Sequence, residues 1–461
     1  MPMPAAYSRI LHRKKALCML HCSVKDYGAR GDGVSMDTAA VQRAIDACSA
    51  VGGGRVTLEA GRFLCGRLDL KSGVDLHLER DAVLQFSDRV EDFPEIETTF
   101  WNTDYAPRFN RRCMLYAEDC DDIALTGRGT IDCSGDAWVE PMTPEMIATH
   151  PHQSYFRKPF PNAVSQGKTQ TQLDHLTLAV KTNPALTSLA PARVVLFIGC
   201  RNVLVEDVRM IRQPAGWSYW ICGCEDVSFH RAGIQAAVDM PNNDGIHINC
   251  SRRVTVSDCN IITGDDCIVV RAYSAPLGKD TPCESVCVTN CNLRSHACAI
   301  RVGWIGDGVM RNLAFSNLTI TDSCVGIGMR LPGNPTPNRL SDEGTESTLI
   351  ENVSFSNIVI DRNLRRPVNI EIGDPNRCTA IRQVYFSHLH ARGAKMPCVS
   401  GRADCHVQDV VFSDCHFIQI PYEEMHTFFG DRFAQYDNSL DPPRFRFVDR
   451  LQLNATEFSV L

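Results

Sequence analysis

A ten-residue phrase that returns along the chain constrains the fold more than any other feature of the sequence. It reads RNVLVEDVRM from Arg201 and ENVSFSNIVI from Glu351, and each copy alternates apolar and polar residues before a short polar turn. The first apolar position of the phrase recurs at Val203, Val227, Val254, Val286, Leu313, Val353, Val384 and Val410. Successive positions are 24 to 40 residues apart, a spacing typical of solenoid repeats. The chain is therefore predicted to build one repeating structure.

The alternation within each copy has the two-residue period of a β-strand, and no helical pattern separates the copies. Short strands without crossover helices can stack as coils of a solenoid, each coil burying its inward side chains against the next. The sequence therefore predicts an all-β, single-domain, right-handed parallel β-helix. The uneven spacing of the copies predicts loop insertions, chiefly at about 135–195, 273–283 and 331–349.

The two ends of the solenoid are predicted to differ from its coils. Residues 1–22 are expected to form an N-terminal extension, and 23–461 a single β-helix domain. A helix at about 37–50 is expected to cap the first coil, with Asp37 as its N-cap and the glycines at 52–54 as its stop. Its apolar face would carry Val41, Ala44, Ile45 and Cys48. After the last copy the pattern fades, which predicts a C-terminal closing segment at about 418–461.

Charge and hydropathy exclude several classes of partner. With 47 Lys and Arg against 54 Asp and Glu, the net charge is −7, which does not favour binding to nucleic acid or to an anionic membrane. No apolar run approaches the roughly 18 residues that span a bilayer. The apolar stretch Ala16–Leu20 is also too short for a signal peptide. We therefore expect a cytoplasmic protein, or a secreted or periplasmic one if the N-terminus is incomplete; the oligomeric state is not predicted.

The chain contains 22 cysteines, and their spacing argues against zinc because no Cys-x-x-Cys pair occurs. Cys259, Cys291 and Cys415 share the register of inward aliphatic positions in other copies. They are therefore predicted to be buried, reduced thiols. No metal or other cofactor is expected.

Two acidic phrases carry the chemistry: Asn-Asn-Asp-Gly at 242–245 and Gly-Asp-Asp-Cys at 264–267. Asp244 and Asp265 are 21 residues apart, so they are expected to stack on adjacent coils at about 4.8 Å, with Asp266 beside them. Like charges this close favour one protonated carboxyl among ionised neighbours, which is the division that glycoside hydrolysis requires. A solvated acidic turn or a calcium site is the alternative that the spacing leaves open.

Basic residues follow the acidic phrases along the chain. His296 lies one coil beyond Asp265, where it would line the same patch and hydrogen-bond to the acid. Arg271, Arg301 and Arg330 follow the strands of three successive coils. Guanidinium groups bind carboxylates through two parallel hydrogen bonds, so a stacked set of arginines indicates a substrate that carries carboxylates.

From about Val24 to Phe417 the chain resembles glycoside hydrolase family 28, the polygalacturonase family. The phrase at 242–245 resembles the family's Asn-Thr-Asp motif, and 264–267 matches its paired-aspartate motif. The resemblance implies that Asp265 is the general acid and that Asp244 and Asp266 hold the attacking water, giving inversion at the anomeric carbon. It also implies that Asn242 and the three arginines contact the substrate.

Two departures from the family motifs leave the substrate open. The Gly-His-Gly motif appears as Ser295-His296-Ala297, and the Arg-Ile-Lys motif as Arg330-Leu331-Pro332. Our first hypothesis is an exo-acting hydrolase of α-linked, galacturonic-acid-containing pectic oligo- or polysaccharides. The alternatives are a hydrolase of rhamnogalacturonan or another uronic glycan, a calcium-dependent enzyme resembling pectate lyase, and a non-catalytic glycan-binding β-helix.

Overall fold

Parallel strands run in successive coils from Leu20 to Val460. The computed structural model describes residues 20–96, 98, 112–149, 154–157, 191, 193–304, 306–332, 348–374, 378–425 and 439–461. Within these residues, 24 strands form one sheet and 11 form a second, which we call the broad sheet and the narrow sheet. A typical coil adds two strands to the broad sheet and one to the narrow sheet, for example Arg201–Glu206, Arg209–Ile211 and then Trp217–Cys222.

The strands pair in parallel within both sheets. The broad sheet comprises Leu20–Ser23, Asp32–Met36, Gly54–Leu58, Gly61–Cys65, Val74–Leu78, Ala82–Phe86, Asp121–Thr126, Thr130–Asp132, Arg201–Glu206, Arg209–Ile211, Glu225–His230, Gly233–Gln235, Arg252–Ser257, Asn260–Thr263, Cys283–Thr289, Asn292–Ser295, Val309–Thr321, Thr348–Asn363, Cys378–Gly393, Val407–Ser413, His416–Gln419, Val448–Asp449, Gln452–Asn454 and Glu457–Val460. The narrow sheet comprises Leu68–Asp69, Cys113–Glu118, Arg193–Ile198, Trp217–Cys222, Ile246–Asn249, Ile268–Arg271, Cys298–Val302, Val325–Leu331, Arg366–Ile372, Cys398–Ser400 and Arg444–Arg446.

The repeated phrases of the sequence form strands that pair with one another in the broad sheet. Each of its eight apolar positions is the direct ladder partner of the next, from Val203 to Val410. Phe315 and Phe355 stand two residues after the first apolar position of their copies, and their rings stack with 4.8 Å between centroids. These inward side chains are buried in one hydrophobic core that runs along the coils. The predicted all-β fold of stacked parallel coils is therefore confirmed.

Two residues in each copy adopt left-handed backbone geometry, and the first of them lies directly before the first apolar position. Asn202, Asp226 and Asn352 are examples, with φ of 54°, 56° and 53°. Asn and Asp tolerate this region better than other residues with a side chain because their short polar groups bond locally. This backbone requirement explains why Asn or Asp so often stands at the second position of the phrase.

An α-helix spans Thr38–Ala50, and its apolar residues, with Val41 and Ile45 among them, join the hydrophobic core. Asp37 occupies the N-cap position of this helix as predicted, but its side chain makes no capping hydrogen bond. The carboxylate instead accepts hydrogen bonds from the backbone N–H groups of Arg30 and Gly31, at 2.7 and 2.9 Å. The role of the helix as a cap stays a prediction.

The strand pattern is expected to fade at about 418–461, but the structure continues it there. Arg444–Arg446 pairs with Cys398–Ser400, and Glu457–Val460 pairs with His416–Gln419, so 444–460 form a further coil. Phe447, Leu453 and Val460 in this coil are 46%, 42% and 54% exposed. Its alternation is weaker in sequence because fewer of its side chains enter the core. The strand Leu20–Ser23 likewise belongs to the broad sheet, so the first coil begins within the predicted extension 1–22.

The predicted insertions lie partly outside the described residues. The 273–283 insertion is a loop with a 3-10 turn at Ala275–Leu277. Most of 135–195 and of 331–349 is not described, nor are 1–19 and 426–438. The described part of 135–195 contains the helix Pro144–Thr149 and an antiparallel pair, Val139–Pro141 with Tyr155–Arg157. The division into an extension and one β-helix domain stays a prediction.

Further short 3-10 turns span Val24–Tyr27, Val90–Asp92, Gly135–Trp138 and Tyr422–Glu424. Cys259, Cys291 and Cys415 are at most 2% exposed, as predicted for inward positions. All 21 cysteines in the described part of the chain are free of disulfides. No helix in that part is both long and apolar enough to cross a bilayer.

Candidate active site

The first two aspartates of the site are placed by the ladder of the narrow sheet. Ile246 pairs with Ile268, and the N–H of Gly245 donates to the backbone oxygen of Asp266 at 2.8 Å, which continues the same register. Asp244 therefore lies opposite Asp266, and the expected stacking of Asp244 on Asp265 is wrong by one residue. The reason is that this coil contains 22 residues, from 246 to 268, and not 21.

The three predicted aspartates nevertheless meet. One carboxylate oxygen from each of Asp244, Asp265 and Asp266 lies within 4.8 Å of the others. Asp244 and Asp266 are each 4% exposed, whereas Asp265 is half-buried. Two nearly buried carboxylates thus lie beside a third that solvent reaches. The same arrangement of oxygens is compatible with a hard divalent cation.

Asp265 is presented by a turn that the Asn243 side chain holds. The Oδ1 of Asn243 accepts hydrogen bonds from the N–H groups of Gly264 and Asp265, at 2.8 and 3.1 Å. The Nδ2 of Asn243 donates to the backbone oxygen of Ala237 at 2.6 Å. A Cβ atom at Gly264 would lie 2.5 Å from the backbone oxygen of Met240. Glycine is therefore required where the turn approaches the preceding coil.

Asp266 is held by a cation. Arg301 donates from Nε to Oδ2 and from a terminal nitrogen to Oδ1 at 3.0 Å, and the N–H of Cys298 also donates to Oδ1, at 3.1 Å. Burial opposes the charge on Arg301, but the Asp266 carboxylate outweighs it and raises the pKa of the guanidinium. The other face of Arg301 lies 4.6 Å from the ring of Trp304. Both oxygens of Asp266 are thus engaged by the protein.

Asp244 is held by a neutral group. Its Oδ2 lies 2.8 Å from Nε2 of His247, which is 3% exposed. Burial, and then the charge of Arg193, lower the pKa of His247 well below 6.5. A neutral imidazole beside a carboxylate must donate its Nε2–H. The His247 ring stacks on Trp217 with 3.7 Å between centroids.

Asp265 borders a groove of about 530 Å³ on the outer side of the narrow sheet, whereas Asp244 and Asp266 are not among the residues that line it. Asp265 and His296 line one part of it, so these two predicted residues share a wall. Five arginines also contribute to the lining: Arg301, Arg330, Arg365, Arg366 and Arg444. The groove therefore combines one member of the acidic cluster with a basic wall.

The predicted arginines do not form one stacked set. Arg271 pairs at 2.6 Å with Asp307, whose side chain is fully buried, and Arg271 is not among the residues that line the groove. Arg301 pairs with Asp266, so its contact is with a carboxylate of the protein. Arg330 lines the groove and forms a half-exposed ion pair with Glu371 at 3.3 Å. Asn242 reaches Asp265 at 3.4 Å, at the long limit for a hydrogen bond.

Sequence reasoning missed several residues of the site. Arg301, Gly328, Asn369, Cys398 and Arg444 follow one another in a single ladder column on the groove side. Extending the register from Arg301 along the later coils would have found Asn369 and Arg444. Three others carried no sequence signal of their own, because folding alone brings them to the cluster: Arg193, Trp217 and His247.

Comparison with known proteins finds a matching family model and several relatives. The family model described as glycosyl hydrolases family 28 covers residues 179–418, which is 240 of the 461 residues. An exo-poly-alpha-D-galacturonosidase of Dickeya chrysanthemi is 27% identical over 319 residues, 66% of this chain and 51% of that protein. A probable polygalacturonase of Vitis vinifera is 26% identical over 262 residues, 55% of this chain and 45% of that protein. The chain thus spans about half the length of these two relatives.

A solved structure shares the architecture. The exopolygalacturonase of Thermotoga maritima superposes with a TM-score of 0.67 at 21% sequence identity, covering 94% of this chain and 92% of that one. At this identity the likeness is one of fold, and it agrees with the parallel β-helix described above.

Proposed function

The chain belongs to glycosyl hydrolase family 28, and from this membership and the acidic cluster we propose that it hydrolyses α-linked pectic glycans that contain galacturonic acid. One observation carries the proposal: the carboxylates of Asp244, Asp265 and Asp266 converge within 4.8 Å beside a groove lined by arginines. Acid and base groups for cleaving a glycosidic bond then lie next to groups that bind uronate carboxylates.

The exposures of the three aspartates divide their roles. Asp265 lines the groove, so its protonated carboxyl can give a proton to the glycosidic oxygen as the bond to the anomeric carbon breaks. His296 shares that wall and is suited to hydrogen-bond with the acid. Asp244 and Asp266 are nearly buried and are oriented by His247 and Arg301. We assign them the attacking water, whose oxygen bonds to the anomeric carbon while one of these two carboxylates takes its proton.

The stereochemical outcome depends on whether a water or a carboxylate attacks the anomeric carbon. Oxygens within 4.8 Å are closer than the roughly 6.5–9.5 Å that separates acid and base in most inverting enzymes. A retaining route, however, requires a carboxylate to bond to the sugar. Asp266 already accepts hydrogen bonds at both oxygens, an arrangement that suits holding a water better than attacking carbon. We therefore propose inversion, which ¹H NMR of the first-formed anomer tests directly.

The arginines support a carboxylated substrate. Arg330 and Arg365 are exposed on the groove wall, and a guanidinium group binds a carboxylate with two parallel hydrogen bonds. Two of the named relatives, from Dickeya chrysanthemi and Thermotoga maritima, are exo-acting on galacturonans, which favours exo-action here. Pro332, where the family motif has lysine, favours a second candidate in which one subsite accepts a neutral sugar, as in rhamnogalacturonan.

Product analysis tests the proposal. The protein is incubated, with a chelator present, with polygalacturonate, with rhamnogalacturonan and with short oligomers of each. Release of saturated galacturonic acid supports an exo-hydrolase of homogalacturonan, whereas cleavage of rhamnogalacturonan alone supports the second candidate. An unsaturated, ultraviolet-absorbing product that forms only when calcium is restored would contradict hydrolysis and indicate a lyase. Sugar binding without any product would indicate a binding protein.

A further inference from the structure

The side chains of Arg193, Trp217 and His247 form a stack behind the acidic cluster. The guanidinium carbon of Arg193 lies 3.8 Å from the centroid of the Trp217 ring, and the His247 ring stacks on Trp217 at 3.7 Å with 14° between the planes. Arg193 is fully buried, and Trp217 and His247 are 8% and 3% exposed. His247 is the member of this stack nearest the site, and its Nε2 lies 2.8 Å from Oδ2 of Asp244.

Each layer restricts the next. A guanidinium group over an indole face is attracted by the ring quadrupole, so Arg193 fixes the plane of Trp217. Trp217 in turn fixes the plane of the imidazole, because stacked rings lose contact when either ring tilts. Trp220 packs edge-on against Trp217 at 5.8 Å and closes the side of the stack. The plane of the His247 ring is thus set by packing, and within that plane the hydrogen bond to Asp244 selects the flip that brings Nε2 to Oδ2.

The surroundings of Nδ1, the other nitrogen of the His247 ring, indicate which nitrogen carries the proton. Nδ1 of His247 is buried and has no hydrogen-bond partner among the described residues. A buried nitrogen without a donor to accept from, or an acceptor to donate to, costs least as a neutral lone pair. The proton of the ring therefore belongs on Nε2, facing Asp244. The charged groups around the ring are the carboxylates of Asp244 and Asp266, which favour a second proton, and Arg193, Arg271 and Arg301, which disfavour it. Burial, and then Arg193, outweigh the carboxylates, so the pKa of His247 is lowered.

We propose that His247 is a positioning residue, which orients Asp244 through its Nε2–H and takes that orientation from the Arg193–Trp217 stack. His247 is not among the residues that line the groove, so it acts on the substrate only through Asp244. The two nearly buried carboxylates are then held differently: Asp266 by a cation, Asp244 by a neutral N–H. A neutral donor orients the carboxylate and leaves its charge in the site, where it can polarise the attacking water.

Kinetics of three variants test the proposal, and this readout rests on the proposed function. His247→Phe keeps a ring on Trp217 and removes the N–H, and we expect kcat to fall roughly 10- to 100-fold with KM little changed. His247→Gln restores an N–H donor, so kcat is expected to recover at least in part. Trp217→Leu keeps the imidazole and removes the stack, and is expected to lower kcat. Wild-type kcat in both His247→Phe and Trp217→Leu would overturn the proposal.

A matched control separates positioning from general weakening of the strand. Asn249 lies two residues along the same strand, is 1% exposed, and bonds through its side chain to the backbone of Tyr273 at 2.9 and 3.0 Å. Asn249→Ala removes buried hydrogen bonds away from Asp244. It is expected to lower the melting temperature and to leave kcat within about twofold of wild type. A loss of kcat equal to that of His247→Phe would show that strand stability, and not orientation, is what matters.

A measurement without substrate tests the geometry alone. With ¹⁵N-labelled histidine, the proposal requires a neutral His247 with the proton on Nε2 at about pH 7. A protonated ring, or the proton on Nδ1, would overturn the proposal whatever the substrate is. If this signature is found while the wild type cleaves no pectic glycan, the proposed function fails and the orientation of Asp244 by His247 stands.

Discussion

Arg301 binds Asp266 through both carboxylate oxygens across one coil of the solenoid, with the two side chains only 18% and 6% exposed. The pair joins the strand Cys298–Val302 to the residues just before Ile268–Arg271, so a feature of the candidate site is also a tie between coils. Removing one member of such a pair leaves a charge buried without its partner, and this costs far more than losing an exposed ion pair. The first prediction follows from this difference.

Arg301→Met is expected to lower the free energy of unfolding by about 3–5 kcal/mol, because Asp266 stays buried without its cation. Denaturant unfolding followed by circular dichroism measures the change. Arg330→Met is the matched control, since the pair of Arg330 with Glu371 is about half exposed on both sides and is expected to contribute less than about 1 kcal/mol. Equal, small losses in both variants would contradict the structural role of the Arg301 pair.

Asp265→Asn is expected to reduce kcat by about 10²- to 10⁴-fold, because an amide cannot supply the proton that the leaving oxygen needs. Release of reducing ends from polygalacturonate measures the change. Asp258→Asn is the control: this exposed aspartate lies at a turn after a strand of the broad sheet, and the substitution is expected to leave kcat unchanged. Turnover in Asp265→Asn close to wild type would remove Asp265 from the role of acid.

Gly264→Ala is expected to displace the turn that carries Asp265. The added Cβ would lie 2.5 Å from the backbone oxygen of Met240 and 2.7 Å from the Oδ1 of Asn243, so backbone has to move. We expect a loss of roughly 1–3 kcal/mol in stability together with a fall in kcat. At Gly233 the nearest atom to a new Cβ is 3.5 Å away, so Gly233→Ala should behave like wild type in both measurements.

Pro332→Lys is expected to shift preference toward homogalacturonan. Pro332 directly follows the strand that carries Arg330, and a lysine there adds a charge near the groove wall. A charge-assisted hydrogen bond to a uronate is worth about 1.5–3 kcal/mol, or roughly a 10-fold or greater rise in kcat/KM for polygalacturonate relative to rhamnogalacturonan. Pro332→Met, which adds length without charge, is the control. The same shift in both variants would show that loss of the proline ring, and not the new charge, is responsible.

The stability of the protein is expected to fall as pH drops below about 6.5. Burial and the charge of Arg193 hold the pKa of His247 well below 6.5, so the unfolded chain takes up a proton there that the folded chain does not. Stability from this residue is complete above that pH and declines below it. Between about pH 7.5 and 5.5 the wild type should lose on the order of 1 kcal/mol more than His247→Gln. Parallel stability curves for the two proteins would contradict a neutral, buried His247.

Much of the solenoid could be predicted because its rule is local. An inward apolar side chain at every second position is a property of each strand, and the ladder joins the same position of each copy whatever the length of the loop between. Val286 and Leu313 are ladder partners across 27 residues, and Leu313 and Val353 are partners across 40. The C-terminal coil escaped prediction because two of its strands, Val448–Asp449 and Gln452–Asn454, have only two and three residues, too few to show an alternation.

The sequence by itself determined the repeated strand, the turn residues and the two acidic phrases, because each depends on residues next to one another in the chain. Only the tertiary structure decided which groups meet between coils. Asp307 engages Arg271 because a loop after the next coil returns to it, while Arg301, one coil later, faces Asp266. His247 approaches Asp244 at a separation of three residues, yet its orientation depends on Trp217 and Arg193 from two earlier coils. Such contacts depend on coil length and register, which no local pattern encodes.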